Sequence, residues 1–151
     1  MKHRKILAIA SSGGHWVQMR RLIPAFEGCD VVFVSTSRDY AHDVQGFRFY
    51  TVADVNRSML PNLARTVPQF IAIMLRERPD VVITTGSMPG CVGLAVAKTF
   101  TRARTVWIDS IANCEALSSS GRQARRFADR WLTQWEDLAG PDGPEYWGAV
   151  L

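Results

Sequence analysis

Short apolar runs alternate with helix-spaced apolar positions along nearly the whole chain. Residues 5–10 (KILAIA) form an apolar run of the kind that becomes a strand buried on both faces, closed by Ser11-Ser12-Gly13-Gly14. Residues 15–26 carry Met19, Leu22, Ile23 and Phe26 on one helical face, and Pro24 predicts a bend or an early end. Asp30–Ser35 and residues 47–52 read as two more strands. Residues 60–78 hold the longest helical pattern, with Leu60, Leu63, Val67, Phe70, Ile71, Met74 and Leu75 recurring at three- and four-residue steps. A strand over 80–85, a Gly/Pro turn and a helix over 90–100 follow. A strand over 105–109, a helix over 121–129 and a short strand over 130–134 lead to a turn-rich tail, 141–151, that carries Tyr146 and Trp147. Strands that alternate with helices predict a parallel sheet covered on both faces, an α/β Rossmann-like doubly wound sandwich. Ligands in such folds sit just beyond the carboxyl ends of the strands.

Composition narrows this further. A length of 151 residues suits one domain, and 47% hydrophobic with 21% charged residues is enough for an ordinary core without staples. Cys29, Cys91 and Cys114 form no CxxC pair and leave one over, so neither a zinc site nor a disulfide framework is indicated and a reducing compartment fits best. The apolar run 6–10 is shorter than the ~7–15 residues of a signal-peptide core, and no run approaches the ~20 needed to span a bilayer. The expectation is a cytoplasmic protein that touches a membrane without crossing it. A net charge of +4 fits phosphates, an anionic surface or nucleic acid alike. The arginines are scattered and match no nucleic-acid module, which sets nucleic acid aside.

Two glycine loops carry the candidate chemistry. Ser11-Ser12-Gly13-Gly14-His15 lies between the first strand and the first helix. Glycines let a backbone approach a ligand closely, and a helix N-terminus offers unpaired N–H groups to a phosphate. The loop matches neither GxGxxG nor GxxxxGK[ST], so it indicates neither NAD binding nor ATP hydrolysis. A tight turn capped by serine explains it equally well. His15 is either a proton acceptor and diphosphate contact or a capping residue. The second loop, Thr85-Gly86-Ser87-Met88-Pro89-Gly90-Cys91-Val92-Gly93, offers amides near 90–92 for another oxyanion, while Gly93 reads as a helix–sheet packing position. On neighbouring strands the two loops would face one crevice, a geometry suited to a diphosphate. Asp109-Ser110 at the end of the fifth strand, and Glu115 beyond it, could orient a sugar hydroxyl or take a proton; a helix cap or an ion pair with arginine is the plainer alternative. Residues 70–75 are apolar nearly all round and are flanked by Arg57, Arg65, Arg76 and Arg78. That segment is either a core helix or a surface that dips into an anionic leaflet.

Together these pieces resemble a known family. SSGGHWVQM at 11–19, the Asn56-Arg57-Ser58 turn, TGSMPGCVGLAVA at 85–97, VWIDSIANCEALSSSG at 106–121, ADRWLTQWEDL at 128–138 and the ending PEYWGAVL run in family order over nearly the whole chain. They are similar to the acceptor-binding subunit of the split N-acetylglucosaminyltransferase of asparagine-linked glycosylation and its bacterial capsule and exopolysaccharide relatives (PssD/CpsF-like). That family is in turn similar to the N-terminal half of GT-B glycosyltransferases such as MurG. The resemblance implies one acceptor-binding domain over 1–151 and a separate partner subunit that binds the nucleotide sugar, UDP-linked by expectation. It implies no bound metal or other cofactor.

Carried over by position, Ser12, Gly13, Gly14 and His15 match the acceptor loop, and Gly86, Ser87, Pro89, Gly90 and Cys91 the second loop. Arg57, Ser110 and Glu115 are further diphosphate or acceptor candidates, and His15 and Asp109 the candidate bases. The tail from 139 implies a partner-docking segment anchored by Tyr146, Trp147 and Leu151. Two departures stand out: the membrane-spanning start of the eukaryotic members is not matched, and the second loop reads TGSMPG where the family often has NGPG. The expected activity is inverting transfer of a sugar to a polyprenyl-diphosphate-linked saccharide at the inner face of the plasma membrane, for polysaccharide synthesis. The alternatives are a non-catalytic membrane adaptor of a partner transferase and an independent nucleotide-binding protein.

Overall fold

A computed structural model describes residues 3–55 and 60–150. Seven strands, β1 (Lys5–Ile9), β2 (Asp30–Ser35), β3 (Arg48–Thr51), β4 (Val81–Thr84), β5 (Arg104–Ile108), β6 (Arg130–Thr133) and β7 (Glu145–Tyr146), form one parallel sheet in the order β3-β2-β1-β4-β5-β6-β7. Four α-helices connect them: α1 (Gly14–Arg21), α2 (Leu63–Glu77), α3 (Ser87–Phe100) and α4 (Ser119–Ala124). Alternation along the strands builds two cores. Leu7, Ile9, Val32 and Val34 face Phe70, Met74 and Leu94 of α2 and α3. Ile6, Ala8, Val31 and Phe33 face Trp16 and Met19 of α1. This is the doubly wound sandwich that the strand–helix alternation predicts, with side chains of period two divided between layers.

Helix α1 stops at Arg21, and Pro24 lies in the first turn of a 3-10 helix over Ile23–Phe26, the early end that Pro24 predicts. Arg78 closes α2 in the left-handed conformation, with Pro79 following. The apolar run 70–75 is mostly core: Phe70, Ile73 and Met74 are buried, and Leu75 alone of its large side chains is well exposed, at 62%. Tail residues 145–146 pair with β6 as an edge strand that their turn-rich surroundings did not reveal. Gly93 lies where a Cβ would come within 2.4 Å of Ile9 Cδ1, so it is the close helix–sheet contact expected of it. Among the described residues no helix is long and apolar enough to cross a membrane.

The sheet order reverses direction at β1, whose neighbours are β2 and β4. That topological switch point opens a crevice beyond the strand ends. The loops that leave β1 and β4 flank it.

Candidate functional site

The two glycine loops are clasped together. His15 Nδ1 lies 3.0 Å from the Thr85 carbonyl oxygen, and Thr85 Oγ1 donates to the His15 carbonyl at 2.7 Å. A carbonyl only accepts, so Nδ1 carries a proton, and in the neutral ring the lone pair is on Nε2. Gly86 makes the clasp possible. Its φ is 127°, and a Cβ there would stand 2.8 Å from His15 Nδ1 and Cε1.

The clasp borders a cleft of about 330 Å³ lined by Ser11, Ser12, His15, Ser87, Asp54 and Val55, with Ser119 and Ser120 of α4 on the far side. Two helices point their N-termini toward it. In the first loop the Gly13 amide donates to Tyr40 Oη at 2.9 Å, and Gly13 C=O accepts from Trp16 and Val17. The amides of Gly14 and His15 remain as first-turn donors. In the second loop Gly86 N–H donates to Thr84 Oγ1, which leaves Ser87 and Met88 as the first-turn donors, Pro89 having none. Ser87 has φ 71°, in the left-handed region, and its buried Oγ has no hydrogen-bond partner. Each of those features costs about 1–3 kcal/mol, and both fall on one residue at the cleft wall.

Several expected contacts lie elsewhere. Asp109 does not face the crevice. It is 1% exposed, and its carboxylate accepts from Trp107 Nε1, Asn113 Nδ2, and the Ser118 hydroxyl and amide at 2.7–3.1 Å. With every acceptor direction used inside the fold, it fixes the β5–α4 loop and is closed to a substrate. Ser110 Oγ is likewise occupied by Gln18 Nε2 and the Ala112 amide. Gly90 is a packing position, since a Cβ there would meet Thr84 Oγ1 at 2.1 Å. The amides of 90–92 sit inside α3, which starts three residues earlier than the turn suggested. Cys91 turns to the opposite side of the loop, into an apolar groove, where burial pushes its thiol up to about 11. Glu115 is exposed and does not line the cleft. Arg57, with the Asn56–Ser58 turn, and Leu151 lie outside the described residues. Tyr146 and Trp147 are exposed at 41% and 64%, and Trp147 stacks under the Arg130 guanidinium.

Four contributors were missed. Tyr40 stacks on Trp16 and holds the Gly13 amide, and nothing in its local sequence signals that. Asp54 and Val55 reach the cleft from the segment after β3. Gln18 is buried on a different side of α1 from Trp16, against Ser110 and Gln134, and nothing in its local sequence signals that. Among the described residues no group of three or more His, Cys, Asp or Glu side chains could hold a metal ion.

Residues 33–150 match the family model described as "Oligosaccharide biosynthesis protein Alg14 like". The chain belongs to the Alg14 family. The UDP-N-acetylglucosamine transferase subunit ALG14 of Yarrowia lipolytica is 28% identical to it over 163 residues, spanning 89% of this chain and 75% of the yeast protein. Among solved structures, Acinetobacter baumannii MurG superposes with a TM-score of 0.78 at 13% identity, over 95% of this chain and 45% of MurG. UDP-GlcNAc 2-epimerase from Neisseria meningitidis gives 0.67 at 12% identity, over 88% and 40%. The Alg14-family chain thus spans less than half the length of either solved protein, and its sheet matches one half of their GT-B architecture.

Proposed function

We propose that this chain is the acceptor-binding subunit of a two-component glycosyltransferase that moves a sugar from a nucleotide sugar to a polyprenyl-diphosphate-linked saccharide. The observation that carries the reading is His15, whose Nδ1 is committed to the Thr85 carbonyl and leaves Nε2 for an incoming proton, set between two helix N-termini at the switch point. The free amides at Gly14, His15, Ser87 and Met88 and the partnerless Ser87 hydroxyl suit the oxygens of a diphosphate. The acceptor hydroxyl attacks the anomeric carbon as its proton passes to His15 Nε2. The bond from that carbon to the nucleoside diphosphate breaks, the electron pair leaves with the diphosphate, and the configuration inverts. A partner subunit binds the nucleotide sugar across the cleft, docking in part on the tail from 139. The relatives' name, a UDP-N-acetylglucosamine transferase subunit, and a fold that is half of a GT-B enzyme support this division of labour. The product serves polysaccharide assembly at the inner face of the plasma membrane.

The test is native purification from the source cells with mass spectrometry of co-purifying proteins, then a transfer assay with the recovered partner. Recovery of a small donor-binding subunit, with transfer that needs both chains, is the expected result. Recovery of a full-length transferase that works alone would replace this reading with an adaptor.

A further inference from the structure

A second hollow opens directly off the cleft. Val55 and Met88 line both. From there an apolar groove of about 470 Å³ follows α3, floored by the stripe Cys91, Val92, Ala95, Val96 and Thr99 at helical three- and four-residue steps. Leu63 and Val67 of α2 wall one side, and Phe127 the other. Met88 and Phe100 are twelve helical steps apart, or about 18 Å of groove at 1.5 Å per step. At its far end Phe100, 54% exposed, also borders a hollow shared with Leu75, Arg78 and Arg102. The path therefore runs from a polar, anion-suited cleft, along a strip of hydrocarbon, to an apolar tip flanked by Arg78 and Arg102, with Asp80 beside them.

That sequence of environments has the order of an amphiphile seated at a membrane. Apart from Thr99 and Gln123 the groove is lined by apolar side chains, and it joins the polar cleft at Val55 and Met88, so one ligand with a polar head and a hydrocarbon tail would occupy both. We propose that the α3 groove holds the first units of the prenyl chain of a lipid diphosphate, whose remaining length leaves past Leu75 and Phe100 into the bilayer. The arginines at that exit face anionic headgroups. The proposal rests on the reading that the cleft holds the diphosphate, and it gives the lipid portion of that ligand a place of its own.

The experiment uses the full chain and four probes at sub-micellar concentration: inorganic pyrophosphate, isopentenyl diphosphate, farnesyl diphosphate and farnesol, each titrated by calorimetry. Affinity should rise with chain length, with farnesyl diphosphate at least about 30-fold tighter than pyrophosphate, as burial of a hydrocarbon chain requires. Ala95→Phe fills the groove and should abolish that gain while the pyrophosphate baseline holds. Thr99→Phe serves as a second block, at an exposed position, should Ala95→Phe fail to fold. Equal affinity for all the diphosphates, or a farnesyl gain that survives a folded groove variant, overturns the proposal. Binding of farnesol that groove variants abolish, with no response to pyrophosphate, would retain the groove and remove the diphosphate cleft.

Discussion

Gln134 Nε2 donates to Gln18 Oε1 at 2.6 Å, joining side chains 116 residues apart in the buried space beyond β1, β5 and β6. The same nitrogen donates to the Asp109 carbonyl at 2.9 Å, and Gln134 Oε1 accepts the Val150 amide at 2.7 Å. Gln18 in turn holds Ser110 Oγ and the Ile111 amide. One pair of amides thus links α1, the β5–α4 loop and the tail. Replacing Gln134 with leucine takes the donor from the Asp109 carbonyl and leaves Gln18 Oε1 with only the Ile111 amide at 3.4 Å, so urea unfolding should show a loss of about 1–3 kcal/mol. Amide exchange at Val150 should rise in the same variant, and exchange unchanged there would disprove the link to the tail.

His15 and Gly86 should fail together. In the assembled transferase, His15→Ala is expected to lower kcat by about 10²–10⁴-fold, the usual worth of a positioned base. Gly86→Ala puts a methyl group against the imidazole at a φ of 127°. It should cost about 1–3 kcal/mol of stability and most of the turnover as well. Turnover and acceptor KM both unchanged in His15→Ala would remove His15 from the mechanism.

Asp109→Asn separates structure from catalysis. The new NH2 group faces two donors whichever oxygen it replaces: Trp107 Nε1 and the Ser118 hydroxyl at Oδ1, or Asn113 Nδ2 and the Ser118 amide at Oδ2. Thermal or urea unfolding should show a loss of about 3 kcal/mol or more. A variant with wild-type stability and no transfer would restore Asp109 as a candidate base.

The cysteines should react in an order set by burial. The Cys91 thiol, raised to about 11, is ionised in only about one molecule in a thousand at pH 8. Iodoacetamide followed by peptide mass spectrometry should modify exposed Cys114 quickly and Cys91 only after denaturation. The sign of the linkage follows from the raised value. Between 9.0 and about 11 the folded chain keeps a proton that the unfolded chain releases, so this group makes stability fall as pH rises. Equal labelling of Cys91 and Cys114 in the native protein would contradict its burial.

Residues 30–35 were legible as a strand to the residue, because a central parallel strand is an uninterrupted apolar run with polar ends. The crevice was legible too: two glycine loops after neighbouring strands can only share one edge of the sheet. What each loop residue faces was not. Gly90 against Thr84, Cys91 in the groove and Asp109 turned inward all depend on where α3 and α4 begin. A shift of three residues at the start of α3 rotates its first turn through most of a circle. β7 was hidden for another reason: two residues are too few to show any period. Gln18 and Gln134 find each other only in three dimensions.

The clasp between His15 and Thr85 means that the two loops cannot separate without breaking two hydrogen bonds at once. They behave as one jaw. On the proposed function, any widening of the cleft for a bulkier sugar would then come from its remaining lining, Asp54, Val55, Ser119 and Ser120. On that same function, those positions are where acceptor preference could be re-engineered without disturbing His15.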